Sequence, residues 1–439
     1  MYDVIIRDGT IVRSSGRLVA DIGIEDGKIA YVGGNPAGSA KEEISAIGRF
    51  VMPGVIDTHV HFRDPGNPDK ESWATGSVEA LRGGVTTVFD MPNTNPPTID
   101  RATVDAKLAK AAANSVVNYG IWAGATAESI PQINDLWDSG VICGTKVFMG
   151  DSTGALAVTP EVLEGVFSKT KGLIGVHAED QPALDAAHKK WAGHPNPVHN
   201  DVRPPEAVVL AVEKLIELVK QTGREVHICH LSTAGELAAL DAYRGDLPIT
   251  CEVTPHHLFL STDNAGELGN LIKVNPPVRT ELDRRAVMAA LKRGRLDTFG
   301  SHHAPHTMEE KMQDYWQAPS GLPGVGTMLP LVLGALKNGR IGLELMVSML
   351  SENPARIFGL YGKGCIEEGA DADLVLFREG VTTRLTQEMV KCHCGWSPFV
   401  GREVGVPPDI VMVNGHIAAR NGVIGNDLPL GKQVRFTGR

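Results

Sequence analysis

The chain has little cysteine and no excess of positive charge. Only 6 of its 439 residues are Cys. Scattered thiols in so long a chain do not read as a disulfide framework and point to a reducing compartment. Lys and Arg number 42 against 52 Asp and Glu, a formal net charge of -10. That balance lacks the basic footprint of a nucleic-acid or anionic-membrane binder. No apolar run approaches the ~18 residues of a membrane-spanning helix. Residues 1–9 lack the basic segment, apolar stretch and small-residue cleavage site of a secretory leader. A soluble, cytoplasmic protein is expected. No short-period repeat is present, and no glycine fingerprint follows the first candidate strand, which argues against a nucleotide-binding open sheet.

What the chain does have is an ordinary hydrophobic fraction of 42% and 15 histidines. The former excludes global disorder. The length allows two or three average domains, or one large barrel with an accessory module. Short strands punctuated by turns mark both ends, at 4–6, 10–12 and 28–34, then at 372–377 and 409–415. Neither end makes a comfortable domain alone, so the two are expected to join. The middle alternates apolar strand-like runs with helix-like stretches. Candidate strands cover 54–60, 85–91, 117–125, 142–149, 173–178, 225–231, 249–255 and 298–301. Helical stretches include 102–113, 206–222 and 282–292. Repeated β/α units of this number predict an α/β chain: a (β/α)8 TIM barrel with a small β-sandwich module built from both chain ends. The expected division is 1–52 and 365–439 for the module and 53–364 for the barrel.

Polar residues gather where the strands end. The first carries His59-Val60-His61, and strand alternation puts both rings on one face. The fifth ends at His177, the sixth near His230, the seventh at His256-His257, the eighth at Ser301-His302-His303. Lys146 stands inside the apolar fourth strand, where a cation is costly unless paired or modified. Barrel enzymes place their active sites at this rim. Nitrogen and oxygen donors suit Zn2+, with Mn2+ or Fe2+ as alternatives. Lys391-Cys392-His393-Cys394 lacks a matching second ligand pair and reads as structural, within the module.

Residues 54–66, 91–96, 144–148, 176–180, 227–232, 252–257, 274–279, 303–307, 353–356 and 369–374 carry ordered motifs. Together they resemble the amidohydrolase superfamily and, within it, the cyclic-amide hydrolases of the dihydroorotase type. The resemblance implies two divalent metals, zinc above all. His59 and His61 would hold one, His177 and His230 the other, and Lys146, carboxylated by CO2, would bridge them. Arg63 and Asn93 would grip a substrate carboxylate with help from His306. Asn275 and the backbone of 321–326 would meet the ring edge. An arginine suited to bidentate carboxylate binding favours dihydroorotate over uncharged ring amides. The family's oligomers imply a homodimer or homotetramer.

One residue departs from the pattern. The family carries Asp-His-Ala-Pro-His after the eighth strand; this chain has His302-His303-Ala304-Pro305-His306. The family's aspartate both ligates metal and shuttles a proton. An imidazole that ligates through one nitrogen points the other elsewhere. Three readings follow: a working cyclic-amide hydrolase with His302 as altered ligand and proton shuttle; a silent homologue kept as a structural partner of aspartate carbamoyltransferase; or an introduced exchange in an otherwise conventional enzyme. The retained metal histidines, Lys146, Arg63, Asn93 and His306 favour the enzyme. Segments 151–160 and 309–326 are candidate covers for the substrate, their glycines permitting motion.

Overall fold

The structure is a computed structural model that describes residues 1–152, 156–426, 428 and 431–437. Part of the first candidate cover, residues 153–155, therefore lies outside the described residues.

Eight parallel strands form the barrel. They are Val55–Val60, Val85–Asp90, a third in two pieces (Asn118–Ile121 and Ala123–Gly124), Thr145–Phe148, Ile174–His177, Val226–Ile228, Ile249–Val253 and Thr298–Phe299. Each pairs with its successor in chain order. A parallel bridge between Val60 and His303 closes the ring, and the His61 amide donates to the His303 carbonyl at 2.7 Å. The strands are buried almost throughout, as expected where helices cover the outside of a parallel sheet. All eight strands coincide with the expected runs.

The helices follow from local sequence. Pro205–Thr222 buries Ala207, Val208, Ala211, Val212, Leu215, Ile216 and Val219. That spacing places one apolar stripe against the sheet. Proline occupies its first turn, and Gly223 ends it at φ 67°, a conformation glycine adopts without a Cβ penalty. Asp100 caps Arg101–Asn114 by accepting from the Thr103 amide. No described helix is long and apolar enough to cross a membrane.

The chain ends join in one nine-stranded sheet. Tyr2–Arg13 pairs along its first half with Ala40–Ser45 and along its second with Phe50–Pro53, which in turn pairs with Leu374–Phe377. That fork folds the sheet over its own apolar face, where Ile6, Ile22, Ile24, Val51, Leu374 and Met412 share a core. Not all of 365–439 lies in it. Thr382–Arg384 and Glu403–Gly405 form a separate ribbon. Leu385, Trp396, Phe399 and Val404 pack with Ile272, Val274 and Leu322 beside the barrel mouth. Val434 packs with Phe89, Trp122 and Phe358 of the barrel. Cys392 and Cys394, expected in the module, thus sit on the barrel wall, with sulfurs 3.5 Å apart.

Candidate active site

The strand-end histidines converge. Ring centroids of His59 lie 5.4 Å from His61, 5.2 Å from His230 and 4.5 Å from His302. His230 is 4.8 Å from His177 and 4.9 Å from His302. One nitrogen from each of His59, His61 and His302 falls within 4.8 Å of the other two. Three residues at this mouth hold left-handed backbone: Arg63 (φ 60°), His230 (φ 42°) and His302 (φ 48°). Non-glycine residues rarely do so, and such strain clusters at functional sites. Asp297, just before the eighth strand, accepts from the Cys251 amide at the opposite rim.

Partners fix most of the rings. His59 Nδ1 donates to Glu252 Oε1 at 2.8 Å, and His61 Nδ1 to Asn93 Oδ1 at 2.7 Å. His177 Nε2 donates to Glu179 Oε2 at 2.7 Å; Arg203 braces that carboxylate from its far side. Burial opposes charge on Glu179, but Arg203 and His177 outweigh it and hold the carboxyl below its usual pKa. In each ring the proton sits on the outward nitrogen, so the lone pair faces the cavity. This is how metal-binding histidines are oriented.

His302 differs. Its Nδ1 is buried without a partner, as is Nδ1 of His230. Burial first, then the facing rings of His59, His230 and His61, push its pKa well below the histidine norm. It is a neutral imidazole among imidazoles.

Lys146 is fully buried, and its Nζ meets Cys229 Sγ at 3.0 Å. The donor set fits metal ions. His61 Nε2 is buried and unpartnered. His177 Nδ1 and His230 Nε2 lie 3.1 Å apart, close to the spacing of neighbouring ligands around one ion with bonds of about 2.0–2.1 Å.

Arg63 is buried beneath the mouth. It donates to the Pro305 carbonyl at 3.3 Å, and its second terminal nitrogen lies 3.2 Å from His306 Nε2. Lys70 donates to His306 Nδ1 at 3.2 Å, and Nε2 of that ring lies 3.2 Å from the Ser320 carbonyl, which takes its proton. No described carboxylate pairs with Arg63, and burial lowers its pKa to about 10. Asn93, Asn275, His302, His59, His61, His177 and His230 line one small cavity with Arg63. Eight of the ten expected site residues line this cavity; His306 lies against Arg63, and Lys146 is buried outside the lining against Cys229.

Part of the expected ring-edge backbone is taken. The amides of Gly324 and Val325 donate to His303 Nδ1, at 3.1 and 3.4 Å. The segment 309–326 is also pinned. Buried Lys311 donates to the carbonyls of Lys273, Pro319 and Gly321, which outweighs the freedom its glycines confer. Glu252, Glu179, Arg203 and Lys70 were not assigned from sequence. Glu252 and Glu179 stood inside motifs already noted, but the sequence does not show which ring each would support.

The amidohydrolase family profile matches residues 50–418. The chain belongs to the amidohydrolase family. A dihydroorotase of Halobacterium salinarum is 40% identical over 94% of this chain and 95% of its own length. An allantoinase of Rubrobacter xylanophilus is 36% identical, covering 91% and 90%. The solved L-hydantoinase (dihydropyrimidinase) of Arthrobacter aurescens superposes with a TM-score of 0.93 at 30% identity, covering 99% of this chain and all of that one. This amidohydrolase is an enzyme of the cyclic-amide type, as its relatives are.

Proposed function

We propose that this amidohydrolase opens dihydroorotate to N-carbamoyl-aspartate and closes it in reverse. The observation that carries the reading is the buried, carboxylate-free Arg63. An unpaired buried cation is costly, and a substrate carboxylate seated against Arg63, with His306 beside it, would complete it. Asn93 borders the same spot, and Asn275 meets the ring from the other side. The dihydroorotase relatives support the choice of ring.

His59 and His61 would hold one divalent metal, with His302 as a third imidazole, and His177 and His230 the other. Lys146, carboxylated by CO2, would stand between them; as a carboxylate it would relieve the charge conflict of an ammonium beside four imidazoles. Zinc suits the donors. When bound, such ions polarise a carbonyl oxygen and make water nucleophilic near neutral pH. His302 is the residue placed to take a proton, but an imidazole engaged through one nitrogen has only the other for that task. Turnover is therefore low for this class. The reading places the enzyme in the cytoplasm as a homo-oligomer; partnership with aspartate carbamoyltransferase belongs to the silent-homologue alternative. The hydantoinase and allantoinase likenesses support a second substrate, a ring without a carboxylate.

Arg63→Ala separates the two. It is expected to lower kcat/KM for dihydroorotate by about 30-fold or more, the cost of removing one member of a buried charge pair, and to spare an uncharged hydantoin. Equal losses on both rings would rule out dihydroorotate.

A further inference from the structure

Asn275 is held by a network reaching outside the cavity. His199 Nε2 lies 3.1 Å from the Val274 carbonyl and 2.9 Å from Asn275 Oδ1. Its Nδ1 lies 2.7 Å from the Tyr315 hydroxyl. A backbone carbonyl only accepts, so His199 Nε2 carries the proton. The atom of Asn275 facing that N–H must then be its oxygen, because the amide nitrogen would set donor against donor. Nδ1 of His199 accepts from Tyr315. Burial, then Arg203 and Lys273, hold this ring well below the histidine norm, which keeps it neutral. Tyr315 is itself fixed: Lys273 donates to its carbonyl at 2.5 Å, and neighbouring Trp316 Nε1 donates to the His194 carbonyl at 2.8 Å.

With its oxygen committed, Asn275 has its NH2 group to offer the cavity it lines. A cyclic ureide alternates C=O and N–H along its edge. Turning such a ring by one atom replaces an acceptor with a donor. We infer that His199 is a positioning residue that locks Asn275 as a hydrogen-bond donor, so that this wall selects a ring carbonyl oxygen and sets the rotational register of the bound ring. Register decides which amide bond faces the histidine cluster. The inference rests on the cyclic-amide reading above but not on the carboxylate at Arg63.

The test is calorimetric binding of orotate, an unreactive ring with the same carboxylate and the same alternating edge, to the metal-loaded enzyme. His199→Ala and Asn275→Ala are each expected to weaken binding about tenfold, the scale of one net hydrogen bond. The double variant is expected to bind no worse than either single one, because both remove the same interaction. His199→Gln, which keeps a donor near Nε2, is expected to recover most of the loss. Replacing one ring carbonyl by thiocarbonyl, each position in turn, is expected to cost affinity at one position in the wild type and at neither in His199→Ala. Additive losses in the double variant, or an equal thiocarbonyl penalty in both proteins, would overturn the inference. If Arg63→Ala leaves orotate affinity unchanged while the 199–275 coupling persists, the carboxylate reading fails and this one stands.

Discussion

The imidazoles of the mouth divide into two groups. His59, His61 and His177 each donate a proton outward, to Glu252, Asn93 and Glu179. His302 and His230 have no such support: Nδ1 of each is buried without a partner. The second group contains position 302, where the chain departs from the pattern it otherwise resembles. A ligand braced by an acceptor is both oriented and made more basic. An unbraced imidazole ligates weakly and can rotate. Position 302 therefore combines an unusual residue type with a ring that no acceptor braces.

The sharpest way to test this contrast is His302→Asp. Restoring a carboxylate is expected to raise kcat on dihydroorotate by about 10²- to 10⁴-fold, the range of general acid–base catalysis, read by steady-state hydrolysis. No change would mean that the defect lies elsewhere. Lys146→Met comes next. Bound metal, measured by mass spectrometry after gel filtration, and turnover are both expected to fall by more than the roughly 100-fold that bounds loss of a supporting group. Retention of two metals would break the assignment of Lys146. Glu252→Gln weakens the brace of His59 and the acceptor of the His230 amide, 3.1 Å away, so metal affinity is expected to drop by about 10- to 100-fold; unchanged affinity in a competitive chelator titration would erase the distinction between braced and unbraced rings. The smallest effect is on stability. Burial holds His227 and His257 down to about 4. Below the unfolded value near 6.5 the unfolded chain binds the extra protons, so stability is full above ~6.5 and is lost as pH falls toward 4. His227→Gln is expected to recover roughly a few degrees of Tm at pH 5 and none at pH 7.5. An equal shift at both values would refute it.

The barrel was legible because its signals are local. Eight apolar runs and their intervening helical stripes are set by periodicity, and Pro205–Thr222 even announces both its ends. The cluster was legible because strand ends of a barrel share one rim. Other features depend on contacts between residues far apart in the chain. Glu252 supports His59 across 193 residues, and a buried carboxylate in a motif looks like any other until its partner is known. The ribbon at 382–405 has the same short-strand texture as the module, yet Trp396 donates to the His306 carbonyl at 2.8 Å. Texture reports local conformation, not which neighbour a segment packs against. The Tyr315–His199–Asn275 chain joins three separate segments, of which only 274–279 carries a motif.

The left-handed backbone at 302 has a genetic consequence. Aspartate and histidine are both among the few non-glycine residues that tolerate this region, so either fits without moving the loop. Their codons differ by a single base. A fold that accepts both leaves a one-step mutational path between a carboxylate and an imidazole at its reacting centre, open in either direction.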